Sequence, residues 1–389
     1  MRVLAACSLG GAGHLQPLLP FLAATELRGG EVLVVGPPAL GEMVRRSGHP
    51  FLAGAEPAEA VVAIIREQLA TASHDVASEL ANRDLFAHLA TDAMLPTMEA
   101  ACGEWLPDLV LREPCEYSSA VVAAGAGIPI AQVAISTAVG EVASIAVAGR
   151  VLEAHRSGLV GELQAMPYLT RFPTTLDPSP FRSTIRYRAT ASATSTRPLP
   201  NWWGERDGPL IYVTFGTVLG HMSMAAGVYR AVLDAVSVLT GARVLLTVGP
   251  YLDPSSIGPT EEHVHVEPWV EQAEILPEAD LVVCHGGSGT VLGALGAGVP
   301  VVAVPMFADQ FVNACLVVDA GAGMVVRGGA GRTGGPGPGI GDGDVPRIAD
   351  AVQAVLSEPA YRAGSQRVAE ELAAAPTADD VLADLVGRA

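Results

Sequence analysis

The sequence predicts an α/β protein of two doubly wound halves, each a parallel sheet with helices on both faces. Three observations carry that expectation. Short charge-free runs of Val, Ile, Leu and Ala recur along the chain, as strands buried on both faces require. They alternate with segments of helical spacing. The 389 residues exceed one ordinary core and suit two domains of roughly 150–200 residues each.

Taken in order, Arg2–Ser8 reads as a buried strand, Leu9–Gly13 as a turn, and His14–Leu27 as a helix with Leu15, Leu18, Leu19 and Leu22 on one face. Gly29-Gly30 stops that helix and Glu31–Val35 is the next strand, closing a βαβ unit. From Pro50 to about Trp105 the chain is helical and less regular. Pro107–Leu111 and Ile128–Ile135 are strands, with a helix over Ser118–Ala126 between them. Residues 177–209 are rich in Pro, Ser, Thr and Arg and read as a linker, with an extended piece near Ile185–Tyr187. A second series follows. Its strands are Leu210–Phe215, Arg243–Val248, Val264–Glu267, Leu281–Cys284 and Val301–Val304; its helices are Ala225–Leu239, Ser288–Ala297 and Gln310–Ala320. Gly328–Gly343 is a Gly/Pro loop, and helices near Val345–Leu356, Tyr361–Ala374 and Ala378–Gly387 end the chain. The expected organisation is a first domain over 1–200, a second over 210–375, and a terminal helix over 376–389 packing back on the first. A cleft between the halves is expected where the carboxyl ends of their strands face each other.

Composition narrows the chemistry. Hydrophobic residues make up 50% and charged ones 16%, which excludes general disorder. The formal charge of −18 argues against nucleic acid or anionic lipid as a partner. All 23 basic residues are Arg, so a Walker-A lysine and a pyridoxal Schiff base are excluded. The five cysteines are scattered and never spaced as CxxC, which points away from a disulfide framework and towards a reducing cytoplasm. The opening Met1–Cys7 run is too short for a signal peptide. Two stretches without Asp, Glu or Arg, Tyr117–Gly140 and Leu281–Ala308, are long enough to test as membrane spans. Gly and Pro break both, and strand–turn–helix is the better reading.

The strongest chemical signal is Cys284-His285-Gly286-Gly287-Ser288-Gly289-Thr290, directly after a strand and opening a helix. Glycines admit a close anion, a helix start turns N–H groups towards it, and Ser288, Thr290 and His285 add donors. A diphosphate suits that geometry; a tight turn without ligand is the plain alternative. The loop is not a GxSxG elbow, because Thr290 stands where the last Gly belongs.

Around this loop stand Glu267-Pro268-Trp269-Val270-Glu271-Gln272, Gly298-Val299-Pro300, Pro305, and Phe307-Ala308-Asp309-Gln310 with Asn313-Ala314. Together they resemble the donor box of GT-B nucleotide-sugar glycosyltransferases, in particular bacterial natural-product enzymes and their plant relatives. Gly11-Ala12-Gly13-His14-Leu15-Gln16-Pro17, the Pro107–Val110 segment and Phe215-Gly216-Thr217 extend the resemblance over nearly the whole chain. It implies two Rossmann-like domains, an acceptor held mainly by the first and a sugar nucleotide by the second. On that resemblance Trp269 stacks on the base, with Val270 beside it and Gln272 lining the nucleoside site. His285, Gly287, Ser288, Gly289 and Thr290 hold the diphosphate, Gly216 and Thr217 lie beside it, and Asp309 and Gln310 bind sugar hydroxyls. The types fit: an aromatic face suits a base, and a carboxylate–amide pair reads hydroxyls. Bland alternatives are a core or interdomain aromatic for Trp269 and a helix N-cap for Asp309 and Gln310. Plant members place Glu eight residues after the loop histidine to grip the ribose; here that position is Gly293, so the ribose partner stays unassigned.

His14 is the acceptor-side candidate, and the family uses this histidine as general base. An imidazole suits proton removal at neutral pH. Relatives pair it with Asp; here Glu113 stands at that place, with an ion pair to Arg112 or another surface partner as the alternative role. Asp342-Gly343-Asp344 mimics a metal-binding DxD, yet Asp344 before Val345-Pro346 reads better as an N-cap. His263 and His265 alternate on one strand without a third ligand nearby, too few for zinc.

The expected activity is therefore an inverting, metal-independent transfer of a sugar, a deoxyhexose by resemblance, from a dTDP- or UDP-sugar to a hydroxyl of a hydrophobic natural-product aglycone. His14 is the base and no cofactor is needed. A cell-wall type N-acetylglucosaminyltransferase, a sugar-nucleotide 2-epimerase and a non-catalytic sugar-nucleotide-binding partner are the rivals. A homodimer is left open, and no stable membrane insertion is expected.

Overall fold

The computed structural model describes residues 1–8, 11–69, 72, 74–188, 198–216, 219–221, 225–249, 252–306, 309–329 and 340–387. The chain divides into two compact units, Met1–Thr190 with Ala375–Ala389, and Ala191–Ala374.

The first unit carries seven parallel strands: β1 (Arg2–Ala6), β2 (Glu31–Gly36), β3 (Phe51–Ala53), β4 (Leu109–Arg112), β5 (Ile130–Val133), β6 (Tyr168–Thr170) and β7 (Thr184–Arg186). Their order is β3-β2-β1-β4-β5-β6-β7. The second unit carries six: β8 (Leu210–Thr214), β9 (Arg243–Thr247), β10 (Val264–Glu267), β11 (Leu281–Cys284), β12 (Val301–Ala303) and β13 (Gly323–Val325), in the order β10-β9-β8-β11-β12-β13. β4, β8 and β11 are buried at every position, as two-sided helical cover demands. In each sheet the order reverses once, between β1 and β4 and between β8 and β11. A crevice opens outside the carboxyl ends of strands at such a reversal, which makes it the place to look for ligands.

Several expectations need correcting. The helix expected over His14–Leu27 is broken into Ala12–Leu15 and Leu19–Leu27. Pro17 has no N–H for the ladder, and Pro20 fits only the first turn of the second piece. β3, β6 and β13, three residues each, are too short to show a periodicity. The segment expected as a linker is ordered in its first part: Leu176, Asp177 and Phe181 are buried and β7 lies within it. Residues 189–197, and 330–339 of the Gly/Pro loop, lie outside the described residues. The irregular helical region contains a π-helical stretch, Glu79–Ala90, packed on the Ala138–His155 helix. No helix among the described residues is long and apolar enough to cross a membrane. The two charge-free stretches are divided among β5, β11, β12 and the helices Ser118–Ala126 and Ser288–Gly296.

Candidate active site

In the first unit, β1 ends at Ala6 and β4 at Arg112, so the residues that follow meet at the reversal point. His14 Nδ1 lies 3.2 Å from Glu113 Oε2. Glu113 is fully buried and held by further donors. The Ser8 N–H donates to Oε1 at 2.8 Å, the Ser8 hydroxyl donates to the same oxygen, and the Cys115 N–H donates to Oε2 at 2.7 Å. Burial alone would raise this carboxyl strongly, but His14, the Ser8 hydroxyl and the Cys115 N–H outweigh it and hold it below the usual carboxylate range. Arg112, the alternative partner, is turned away: it donates to the carbonyls of Glu116 at 2.5 Å and Pro114 at 2.7 Å, and to Gln132 Oε1. Among the described residues, His14, Glu113 and Cys115 are the one trio whose potential metal ligands lie within 4.8 Å of one another. A metal there would have to displace donors that already occupy both Glu113 oxygens.

Behind this pair lies a buried polar network that the sequence did not announce. Gln132 Nε2 donates to Glu141 Oε2 at 3.0 Å, and the Ile135 and Ser136 N–H groups donate to Oε1 at 3.1 and 3.0 Å. Burial nonetheless pushes Glu141 up to about 8, because those bonds only partly offset the loss of water. Glu116 accepts from the Ser118 and Ser119 hydroxyls and the Ser119 N–H. The signals in the sequence are three Glu close to two mostly apolar strands, with Arg112 and Gln132 inside those strands.

In the second unit the loop after β11 sits beside the end of β8. The His285 ring lies against two backbones where a side chain has no room: a Cβ on Gly287 would come within 2.4 Å of its Nε2, and one on Gly216 within 3.0 Å of its Cε1. Burial pushes the imidazole down to about 4, against the opposing pull of Asp309 and the Thr214 backbone. At neutral pH the His285 imidazole is therefore uncharged. Ser288 and Thr290 open the Ser288–Gly296 helix; Thr290 Oγ1 accepts from Gln272 Nε2 at 3.3 Å, and Gly289 is exposed. Gln272 also fills the space beside Gly293, where an added Cβ would meet its Oε1 at 3.2 Å.

Asp309 precedes the Gln310–Asp319 helix, yet its side chain caps no helical N–H. Its Oδ2 accepts from the Ser288 hydroxyl at 2.8 Å and from Asn313 Nδ2 at 3.0 Å. The fully buried Asn313 also donates to the Gly286 carbonyl at 2.9 Å and approaches Ser288 Oγ at 3.1 Å, tying loop to helix. The sequence gives this role no signal, because an amide has no telltale spacing. Gln310 is buried and its Oε1 accepts the Met306 N–H at 2.9 Å. Trp269 is 48% exposed, so it is no core aromatic of this unit; its indole N–H donates to Glu271 at 3.0 Å, and Val270 beside it is partly exposed. Thr217 lies outside the described residues. Asp344 accepts the Gly341 N–H at 3.1 Å and pairs with Arg347, so it sits at a helix start with its carboxylate engaged. His265 pairs with Glu267 at 2.7 Å and stacks on Trp202.

Each unit thus carries a polar constellation at the reversal point of its sheet, one built on His14 and Glu113, the other on a donor-rich loop. Residues 23–200 match the N-terminal domain, and 232–387 the C-terminal domain, of the erythromycin biosynthesis protein CIII-like family. The elloramycin glycosyltransferase ElmGT of Streptomyces olivaceus is 33% identical over 99% of this chain and 97% of its own. This chain is a glycosyltransferase of that family. The L-demethylnoviosyl transferase of Streptomyces niveus is 29% identical to this glycosyltransferase, over 97% of this chain and 95% of its own. Among solved structures, the spinosyn rhamnosyltransferase SpnG superposes with a TM-score of 0.80 at 20% identity, over 99% of this chain and 100% of its own. The glycosyltransferase is thereby a GT-B protein, its two parallel-sheet α/β domains matching that fold. Its relatives act in antibiotic and natural-product biosynthesis.

Proposed function

We propose that this glycosyltransferase moves a deoxyhexose from a dTDP- or UDP-sugar to a hydroxyl of a hydrophobic natural-product aglycone, with inversion and without a metal. The observation that carries the acceptor half is the His14–Glu113 contact at 3.2 Å. With Nδ1 directed at a buried carboxylate, Nε2 on the far side of the ring is the atom to take the acceptor proton. Glu113 orients the ring and favours the imidazolium as the oxygen attacks the anomeric carbon. The donor half rests on the second unit: helix-start N–H groups, Ser288, Thr290 and a neutral His285 would face the diphosphate, Trp269 the base, and Asp309 and Gln310 the sugar. SpnG has been solved complexed with thymidine diphosphate and with spinosyn aglycone, which supports a nucleotide donor and an aglycone acceptor here. The reaction would run in the cytoplasm with no resident cofactor.

The test is calorimetry with dTDP and UDP, then turnover with a panel of deoxysugar donors and polycyclic or macrolide acceptors, with and without EDTA. Acceptor-dependent release of nucleoside diphosphate, unchanged by EDTA, is expected. Release without acceptor would instead point to an epimerase. Turnover abolished by EDTA and restored by Mg²⁺ or Mn²⁺ would refute the metal-free reading.

A further inference from the structure

The donor loop poses a problem of hydrogen arithmetic. A serine hydroxyl has one proton to give, and the Ser288 proton goes to Asp309 Oδ2 at 2.8 Å. Yet the proposed function, on which this inference rests, asks Ser288 to donate to the diphosphate and Asp309 to accept from the sugar. The serine meets its task only if the Ser288–Asp309 bond opens, and that opening gives Asp309 a further site on Oδ2 for a sugar hydroxyl.

We propose that the Ser288 hydroxyl is a two-position relay: directed at Asp309 when the site is empty, it turns to the diphosphate of a bound sugar nucleotide and so releases Asp309 Oδ2 to accept a sugar hydroxyl. The surroundings suit this. Only rotation about the Cβ–Oγ bond is required, without displacement of a heavy atom. Asn313, fully buried and held by the Gly286 carbonyl at 2.9 Å, does not follow. Its Nδ2 remains 3.0 Å from Asp309 Oδ2 and 3.1 Å from Ser288 Oγ. With one amide N–H on the Gly286 carbonyl, the other is shared between the carboxylate and the serine oxygen and keeps the carboxylate in place once the serine proton turns away.

The consequence is selective. A sugar nucleotide opens the Ser288–Asp309 bond and replaces it with a sugar hydroxyl. A nucleoside diphosphate opens the same bond and leaves only water to take the serine's place at the partly exposed Asp309, since it has no sugar to offer. The relay therefore weakens binding of the product nucleotide relative to the substrate and favours its departure after transfer.

The experiment is a double-mutant cycle read by calorimetry, with dTDP and UDP as probes, on the full chain, Ser288→Ala, Asp309→Ala and the double variant, each checked by thermal melting. Asp309→Ala is expected to tighten nucleoside diphosphate binding roughly tenfold when Ser288 is present, because a hydrogen bond to a charged group no longer competes. In the Ser288→Ala background the gain should be several-fold smaller. Relief of repulsion between Asp309 and the phosphates acts in both backgrounds and cancels in the cycle. Equal changes in the two backgrounds would overturn the relay while leaving the donor site standing. Failure of the parent to bind either nucleotide would overturn the proposed function and the relay with it. Should Asp309→Ala not fold, Asp309→Asn carries the same test with a smaller coupling of the same sign.

Discussion

At the scale of single residues, the pair that matters most is His14 and Glu113, and its partners decide how it behaves. Glu113 is buried, yet its carboxyl stays below the usual range, so it faces the imidazole as an anion throughout the neutral region. His14→Ala should lower kcat by about 10²–10⁴, the span for positioned proton transfer, with dTDP and UDP affinity unchanged. Wild-type turnover on an aliphatic alcohol acceptor would remove His14 from the mechanism. Glu113→Gln should move the acidic limb of the rate profile to lower pH, because the imidazolium loses its counter-charge. Ser8→Ala removes one of the donors that share the Glu113 charge; the carboxylate, still ionised, then holds the imidazolium more tightly, so the same limb should shift modestly the other way, to higher pH. An unmoved limb in both variants would show that the carboxylate does not tune the ring. His14 and Glu113 were legible in the sequence because a Gly-rich turn and a strand end flagged them. Ser8 and Asn313 were not, since a hydroxyl or amide that anchors a neighbour has no periodicity and no charge.

At the scale of elements, strand ends account for what could and could not be read. Continuous apolar runs such as Leu281–Cys284 announced buried parallel strands, and the Gly-rich segments after them announced turns at which ligands gather. The three-residue strands β3, β6 and β13 and the break of a helix at Pro17 escaped, because so few residues cannot establish a period. The polar cluster behind β4 and β5 escaped for another reason: Glu141 lies within a helix whose sequence gives no hint that its carboxyl points inward to the Ile135 and Ser136 N–H groups. That cluster has a measurable signature. Folded Glu141 holds its proton up to about pH 8, whereas the unfolded chain releases it near the usual 4.5. Between those limits the native state binds more protons, so stability falls as pH rises. Glu141→Gln, which has nothing to titrate, should flatten that fall in urea unfolding followed from pH 5 to pH 8. A slope equal to the parent's would mean that Glu141 ionises normally in the fold.

At the scale of the whole molecule, the chain leaves the first unit near residue 190 and returns to it at 375, so the last helix belongs to the unit that begins the sequence. Ala378, Val381, Leu382 and Leu385 of that Ala378–Gly387 helix are buried in the same core as Phe21 and Leu22 of the Leu19–Leu27 helix. An ion pair between Arg28 and Asp379 joins the two helices at the surface, where water and salt screen it. Apolar contact must therefore do most of the fastening of that helix to the first unit. Leu382→Ala should destabilise the first unit by about 2–5 kcal/mol, the range for emptying a fully buried leucine site. Leu382 packs in the core of the first unit, so the melting of the second unit and its affinity for dTDP or UDP should stay at the parent's values. Calorimetry with and without nucleotide distinguishes the units, because a ligand raises only the transition of the unit that binds it. Arg28→Ala should shift the first transition far less than Leu382→Ala. A Leu382→Ala variant that lowered both transitions equally, or weakened nucleotide binding, would show that the terminal helix stabilises the molecule as one cooperative body rather than the unit it packs on.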